Sequence, residues 1–173
     1  MREVTLDSKT FNKMPYSNTT VSWQRTKGEI DGLLYEHGID KIQWTQEGDQ
    51  IRLIFAMKVE VMGVEKLIAF KFEPIRIFAM TGRKGRKTKT EMKNVAWRLF
   101  WWHLKSKLEA VKYGLSSFEV ELMSNIIHKL PDGSEATVGE TMQQIIAEDR
   151  LNGLALEDRR GAKAVEVDSR VVE

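Results

Sequence analysis

The strongest constraint on the fold of this chain is the run Ile51-Arg52-Leu53-Ile54-Phe55-Ala56-Met57-Lys58-Val59-Glu60-Val61. Ile51, Leu53, Phe55, Met57, Val59 and Val61 fall on one side of an extended backbone, with Arg52, Lys58 and Glu60 on the other. Side chains alternate across a strand with a period of two, so this pattern describes a strand buried on one face and wet on the other. Two neighbouring segments share it. Residues 67–73 set Ile68, Phe70 and Phe72 against Ala69, Lys71 and Glu73, and residues 39–45 carry Ile42 and Trp44 on one side. Glu47-Gly48-Asp49 and Met62-Gly63-Val64-Glu65 supply turns between them. An antiparallel meander covered on one face follows. Pro74 ends it, or demotes Ile75-Arg76-Ile77-Phe78 to a further short strand at an exposed edge.

Helices are available to cover that face. Thr26-Lys27-Gly28-Glu29 has capping-box form, Ile30, Leu33 and Leu34 make one apolar side, and Gly38 is a natural stop, which predicts a helix over 27–37. The longest helix is expected over 94–113, stopped by Gly114. Its buried stripe reads Trp97, Trp101, Leu104, Leu108 and Val111, flanked by Phe100, and the opposite stripe reads Arg98, Trp102, Lys105, Glu109 and Lys112. Ser116-Ser117-Phe118-Glu119 predicts a helix with Phe118, Leu122, Ile126 and Ile127 inward. After the turn at Pro131-Asp132-Gly133, Thr137-Val138-Gly139-Glu140 predicts another, with Met142, Ile145 and Ile146 inward. The expected fold is α+β: a three- or four-stranded antiparallel meander packed on helices, in helix-strand-strand-strand-helix order, with extra C-terminal helices. A length of 173 residues suits one such domain, placed at 20–150. Residues 1–19 around Pro15 read as an arm or an irregular first strand, and residues 151–173 as a flexible charged tail.

Composition narrows the chemistry. The absence of Cys excludes disulfides, thiolate catalysis and Cys-based zinc sites, and three His leave little for a histidine metal site. Met1-Arg2-Glu3-Val4-Thr5-Leu6-Asp7 lacks the apolar segment of a secretory signal, and no run of about 20 apolar residues is present. The expectation is a cytoplasmic protein with no cofactor, no metal, no membrane partner and no evident small-molecule substrate.

Charge is distributed unevenly around its net of +2. Residues 1–130 carry 22 Lys and Arg against 15 Asp and Glu, whereas residues 131–173 carry 5 against 10. Nine cations lie between Arg76 and Lys105, with Glu91 the one acid among them. A concentrated basic segment in a near-neutral chain creates a local field and suits a polyanion. Residues 79–93 read as a flexible basic loop. Its Gly82-Arg83-Lys84-Gly85-Arg86-Lys87-Thr88 shares letters with a phosphate loop, but the spacing is wrong and Arg86 precedes Lys87. Compliant glycines and unordered cations suit a nucleic-acid backbone better, the bland alternative being a loop kept soluble by charge.

Trp102 falls on the same helical stripe as Arg98 and Lys105, where an indole can stack on an unpaired base. A subunit contact or packing beneath the tail would use it equally well. The candidate nucleic-acid-binding set is therefore Arg83, Lys84, Arg86, Lys87, Lys89, Lys93, Arg98, Trp102 and Lys105, with no catalytic residue. Glu60, Glu65 and Glu73 raise two-metal chemistry as a reading, but Glu65 falls in a turn and Lys58 and Lys71 stand beside the other two, which favours a solvated sheet face.

Several phrases together resemble a known family. They are Asn18-Thr19-Thr20-Val21, Gly28-Glu29-Ile30-Asp31-Gly32-Leu33-Leu34 closing at His37-Gly38, and Trp97-Arg98-Leu99-Phe100. The stretch Lys105-Ser106-Lys107-Leu108-Glu109-Ala110-Val111 is the most specific, followed by Gly114-Leu115-Ser116-Ser117-Phe118-Glu119, Leu130-Pro131-Asp132-Gly133 and Thr137-Val138-Gly139-Glu140. Over residues 17–141 the chain resembles a widespread family of small proteins of tailed bacteriophages and prophages. The resemblance implies a phage context and supplies no chemistry. The element order is also similar to that of single-strand annealing proteins of phage recombination and of double-stranded RNA-binding domains, an analogy of fold order alone.

These readings converge on a non-enzymatic, phage-type nucleic-acid-binding protein, with single-stranded DNA in replication or recombination as its expected partner. A protein-interaction adaptor or inhibitor is the alternative, and a metal-dependent nuclease the third. A homo-oligomer is expected to join through the edge near Ile75-Arg76-Ile77-Phe78 and to anneal strands, with the acidic end of one subunit docking on the basic body of the next.

Overall fold

The computed structural model describes residues 3–61, 63–82 and 88–148. Its elements are β1 (Glu3–Asp7), α1 (Ser8–Phe11), α2 (Trp23–Glu36), β2 (Lys41–Glu47), β3 (Gln50–Val61), β4 (Val64–Phe72) and β5 (Arg76–Thr81). There follow β6 (Thr88–Glu91), α3 (Lys93–Lys112), α4 (Phe118–Leu122), a turn of 3-10 helix at Met123–Asn125, β7 (Ile127–Lys129), β8 (Glu135–Thr137) and α5 (Val138–Ala147). The fold class is α+β, as the sequence pattern predicts.

Strands β2, β3 and β4 form the expected antiparallel meander. The two-residue turn between β2 and β3 places Gly48 at φ +58, a conformation that costs glycine nothing. Register sets Leu53 opposite Phe72 and Phe55 opposite Phe70. The Phe55 ring lies 5.4 Å from that of Phe70 and 5.6 Å from that of Phe72. This face closes against Ile30, Leu33 and Leu34 of α2 and Trp97, Phe100, Leu104 and Leu108 of α3. Each such fully buried side chain contributes roughly 1.5–3 kcal/mol by leaving water.

Helix α2 begins four residues before its expected start. Ser22, rather than Thr26, is the cap: its hydroxyl accepts the Arg25 N–H. Thr26 is fully buried and donates its hydroxyl to the Ser22 carbonyl. The extra turn is satisfied from outside the helix, because Asn94 Oδ1 on α3 accepts the Trp23 N–H at 2.9 Å. The helix ends as predicted. Gly38 adopts φ +73, the Ile39 N–H returns to the Leu34 carbonyl at 3.0 Å, and Ile39 is buried beneath the turn.

The structure overturns the expected edge at residues 75–78. Strand β5 is the centre of a second sheet, with β1 parallel on one side and β6 antiparallel on the other. Ile77 and Ala79 are fully buried there beside Phe11, Val95 and Ala96. The N-terminal residues are thus the irregular first strand rather than a free arm. Residues 79–93, read as one loop, contain the end of β5 and all of β6. Arg76 ties this sheet together and to the meander. Its guanidinium reaches Glu91 at 2.8 Å, Glu3 at 3.3 Å and Asp49 of the β2–β3 turn at 3.3 Å.

The C-terminal part also departs from expectation. The helix assigned to Ile126 and Ile127 stops at Leu122, because Ile126 turns extended and bridges Phe70 at the edge of β4. Ile127 enters the β7–β8 hairpin. Helix α5 has its predicted capping box, with Thr137 and Glu140 bonded reciprocally. Met142 and Ile146 nevertheless face solvent, at 42% and 59% exposure. The helix is seated by its first turn. Glu140 takes both oxygens to Lys71 Nζ at 2.9 Å, and Gly139 abuts Ser124, whose carbonyl oxygen would lie 2.8 Å from an added Cβ.

Candidate nucleic-acid interface

Four of the nine candidate residues, Arg83, Lys84, Arg86 and Lys87, lie outside the described residues. The other five occupy β6 and α3. Lys89 sits on β6 with its ammonium 4.0 Å from the centre of the Phe78 ring and 3.7 Å from Glu3. Lys93 opens α3 with its ammonium 3.9 Å from the Trp23 ring centre. Among the four described candidate cations it alone makes no ion pair within 4 Å to a described carboxylate, although its charge helps to lower Glu91.

Along α3, Arg98, Trp101, Trp102 and Lys105 follow helical spacing and meet on one side. Arg98 lies 4.9 Å from the Trp101 ring centre, and Lys105 lies 5.1 Å from Trp101 and 5.9 Å from Trp102. The two indoles pack edge to face at 5.2 Å. Cations so placed gain from the ring quadrupole and lose freedom, which holds charge beside flat aromatic surface.

Trp101 therefore belongs only partly to the core stripe assigned to it. It is half-buried, and its indole nitrogen, shut off from solvent, has no hydrogen-bond partner among the described residues. Trp97 is the core indole, 2% exposed between Trp23 and Trp44 at 5.4 Å from each.

Arg98 is committed within the protein. It is 16% exposed and bonded to Glu29 of α2, which Arg25 also contacts. The Arg98 guanidinium holds the Glu29 carboxyl below the usual carboxylate range, against the opposing effect of desolvation. Lys105 has Glu109 at 3.4 Å, one turn on. Two cations of the stripe are thus partly neutralised by their own fold.

Trp102 is 44% exposed, and Tyr16 stacks on it with ring centres 6.3 Å apart and planes 22° from parallel. Tyr16 holds φ +64, the one described non-glycine residue with positive φ. A bulky residue in that conformation is strained and persists only where its surroundings hold it. Nothing in the periodicity of residues 1–19 marks Tyr16, since its role depends on a ring 86 positions later.

The carboxylates weighed for metal chemistry have separate partners: Glu65 pairs with Lys58 at 2.5 Å and Glu73 with Arg52 at 3.0 Å. Among the described residues no group of three or more His, Asp or Glu could hold a metal. None of the described helices is long and apolar enough to cross a membrane.

The fold and this surface define the chain as an α+β protein bearing a basic, aromatic helix face. No family model matches it, and neither does any curated protein or solved structure.

Proposed function

We propose that this is a non-enzymatic, phage-type nucleic-acid-binding protein whose partner is single-stranded DNA in replication or recombination. The observation that carries the reading is the half-exposed Trp102 ring, backed by Tyr16 and neighboured by Lys105. Stacking uses the flat face that every base offers and needs no sequence readout, which suits a single strand better than a duplex. Lys93 adds a cation that makes no close ion pair with a described carboxylate, and the sequence between Gly82 and Thr88 adds four more. Backbone phosphates reward such charges without demanding fixed geometry. The corrected position of β5 removes the subunit joint expected at residues 75–78, so strand annealing by an oligomer would need another contact.

The test is a titration of the full chain with single-stranded DNA, duplex DNA and RNA at two salt concentrations. Tighter, salt-sensitive binding to single-stranded DNA supports the reading. Equal weak binding to all three, insensitive to Trp102→Ala, removes it. A protein-interaction adaptor is favoured by a different observation, the solvent-facing Met142 and Ile146 of α5.

A further inference from the structure

The segment between α1 and α2 is fixed at its two ends. Phe11 and Met14 pack in the second core, Ser22 caps α2, and the Trp23 N–H is held by Asn94. Between these anchors, the hydrogen bonds that residues 15–21 make among the described residues all stay within residues 12–21. None ties this stretch to α3, over which the Tyr16 ring lies.

The Ser17 N–H donates to the Met14 carbonyl at 3.3 Å, so Met14-Pro15-Tyr16-Ser17 is a turn with Pro second and a positive φ third. That is the type II arrangement, whose third position favours Gly or Asn. Tyr at 16 breaks a local rule at an exposed position, which points to a use for its side chain. The ring supplies one. Its centre lies 6.3 Å from that of Trp102 with the planes 22° apart, the flat, parallel relation in which a base stacks on indole. Trp101, the other ring against Trp102, stands at 84° to it and is carried on the same helix. The parallel neighbour is the one carried on a turn.

Two observations make this contact reversible. Both rings keep much of their surface in water, 36% of Tyr16 and 44% of Trp102, so little burial is lost when they part. The strain at Tyr16 is released at the same moment, which offsets part of the cost of opening.

We propose that Tyr16 is a built-in stand-in for a base: its ring covers the stacking face of Trp102 in the free protein and is displaced when a single strand binds. The inference rests on the single-strand reading above and adds the regulation of that site. Only the open fraction can take a base, so the Tyr16 contact lowers the apparent affinity by that fraction.

The experiment titrates the full chain with a fluorescent oligothymidylate. It is repeated on Tyr16→Gly, Tyr16→Phe, Trp102→Ala and the Tyr16→Gly/Trp102→Ala double variant, with folding checked by melting. Glycine removes the ring and suits the positive φ, so the turn survives. Tyr16→Gly should bind about tenfold tighter, the reciprocal of an open fraction of about one in ten. Tyr16→Phe keeps the ring and should match the parent. With Trp102 already replaced, the glycine should change nothing. In the parent, the Tyr16 ring NMR signals should move to those of an unstacked tyrosine as the oligomer saturates.

Weaker binding by Tyr16→Gly would overturn the proposal by making Tyr16 a platform for the strand. Unchanged binding, or Tyr16 signals that stay put at saturation, would overturn it too. So would an equal gain in the Trp102→Ala background, because the ring would then act elsewhere. If no form binds the oligomer, the single-strand reading fails and takes the stand-in with it. If the parent binds, Trp102→Ala weakens it and Tyr16→Gly does not tighten it, the stand-in alone fails.

Discussion

Glu29 on α2 binds the guanidinium of Arg98 on α3, and that pairing converts a predicted phosphate ligand into a fastener between two helices. Arg98 is largely covered in the α2–α3 seam, at 16% exposure, while Glu29 keeps about a third of its side chain exposed, so the guanidinium is the partner that loses most if left unpaired. Arg98→Ala should therefore lower the melting temperature while leaving the salt dependence of DNA binding nearly unchanged. Lys93→Ala should do the reverse, reducing the log–log salt slope by about 0.7, the value of one single-strand phosphate contact.

Acid titration checks the same pair. The Glu29 carboxyl is held below its ordinary value of 4.5 in the folded chain, so its contribution is complete above that pH and lost as pH falls through the lowered folded value. Glu29→Gln should be less stable than the parent by about 1 kcal/mol near neutrality. The gap should close as the pH is taken below that ordinary value. A gap that is constant from neutral to acid pH would contradict the assignment.

The two indoles at 97 and 102 should separate stability from binding. Trp97→Ala removes a side chain 2% exposed and should cost roughly 3–5 kcal/mol in denaturant unfolding. Trp102→Ala should cost little stability and weaken single-strand binding by about 1–3 kcal/mol. Comparable melting losses in the two would show that Trp102 serves packing alone.

Replacing Arg83, Lys84, Arg86 and Lys87 together by Ala should flatten the salt slope by about 2.8, if each meets one phosphate of a single strand. Binding should fall uniformly across sequences, because backbone contacts carry no base information. Unchanged affinity would exclude these four from the interface.

Gly139→Ala tests how α5 is seated. The new Cβ would meet the Ser124 carbonyl oxygen at 2.8 Å, and backbone on both sides gives little room to relax. A loss of about 1–3 kcal/mol is expected, the usual range for overpacking. Helix propensity alone predicts the opposite sign, since Ala is the better helix former.

What the chain alone determined is local. Alternation in residues 51–61 and 67–73 specified the meander and which side of it is buried, because a strand's two faces are written directly in its odd and even positions. Gly38, Gly114 and the Thr137–Glu140 box marked helix ends through their own backbone chemistry. Tertiary structure decided whatever depends on a distant partner. β5 became a central strand because β1, more than 70 residues earlier, pairs parallel beside it, and such pairing leaves no periodic trace near either strand. Ile126 is extended because Phe70 takes it as a bridge, although its spacing from Leu122 suits a helix equally well. Arg98 and Lys93 are indistinguishable as letters in a basic run. The fold bonds Arg98 to Glu29 and sets the Lys93 ammonium over the Trp23 ring, a difference in neighbours that no local spacing records.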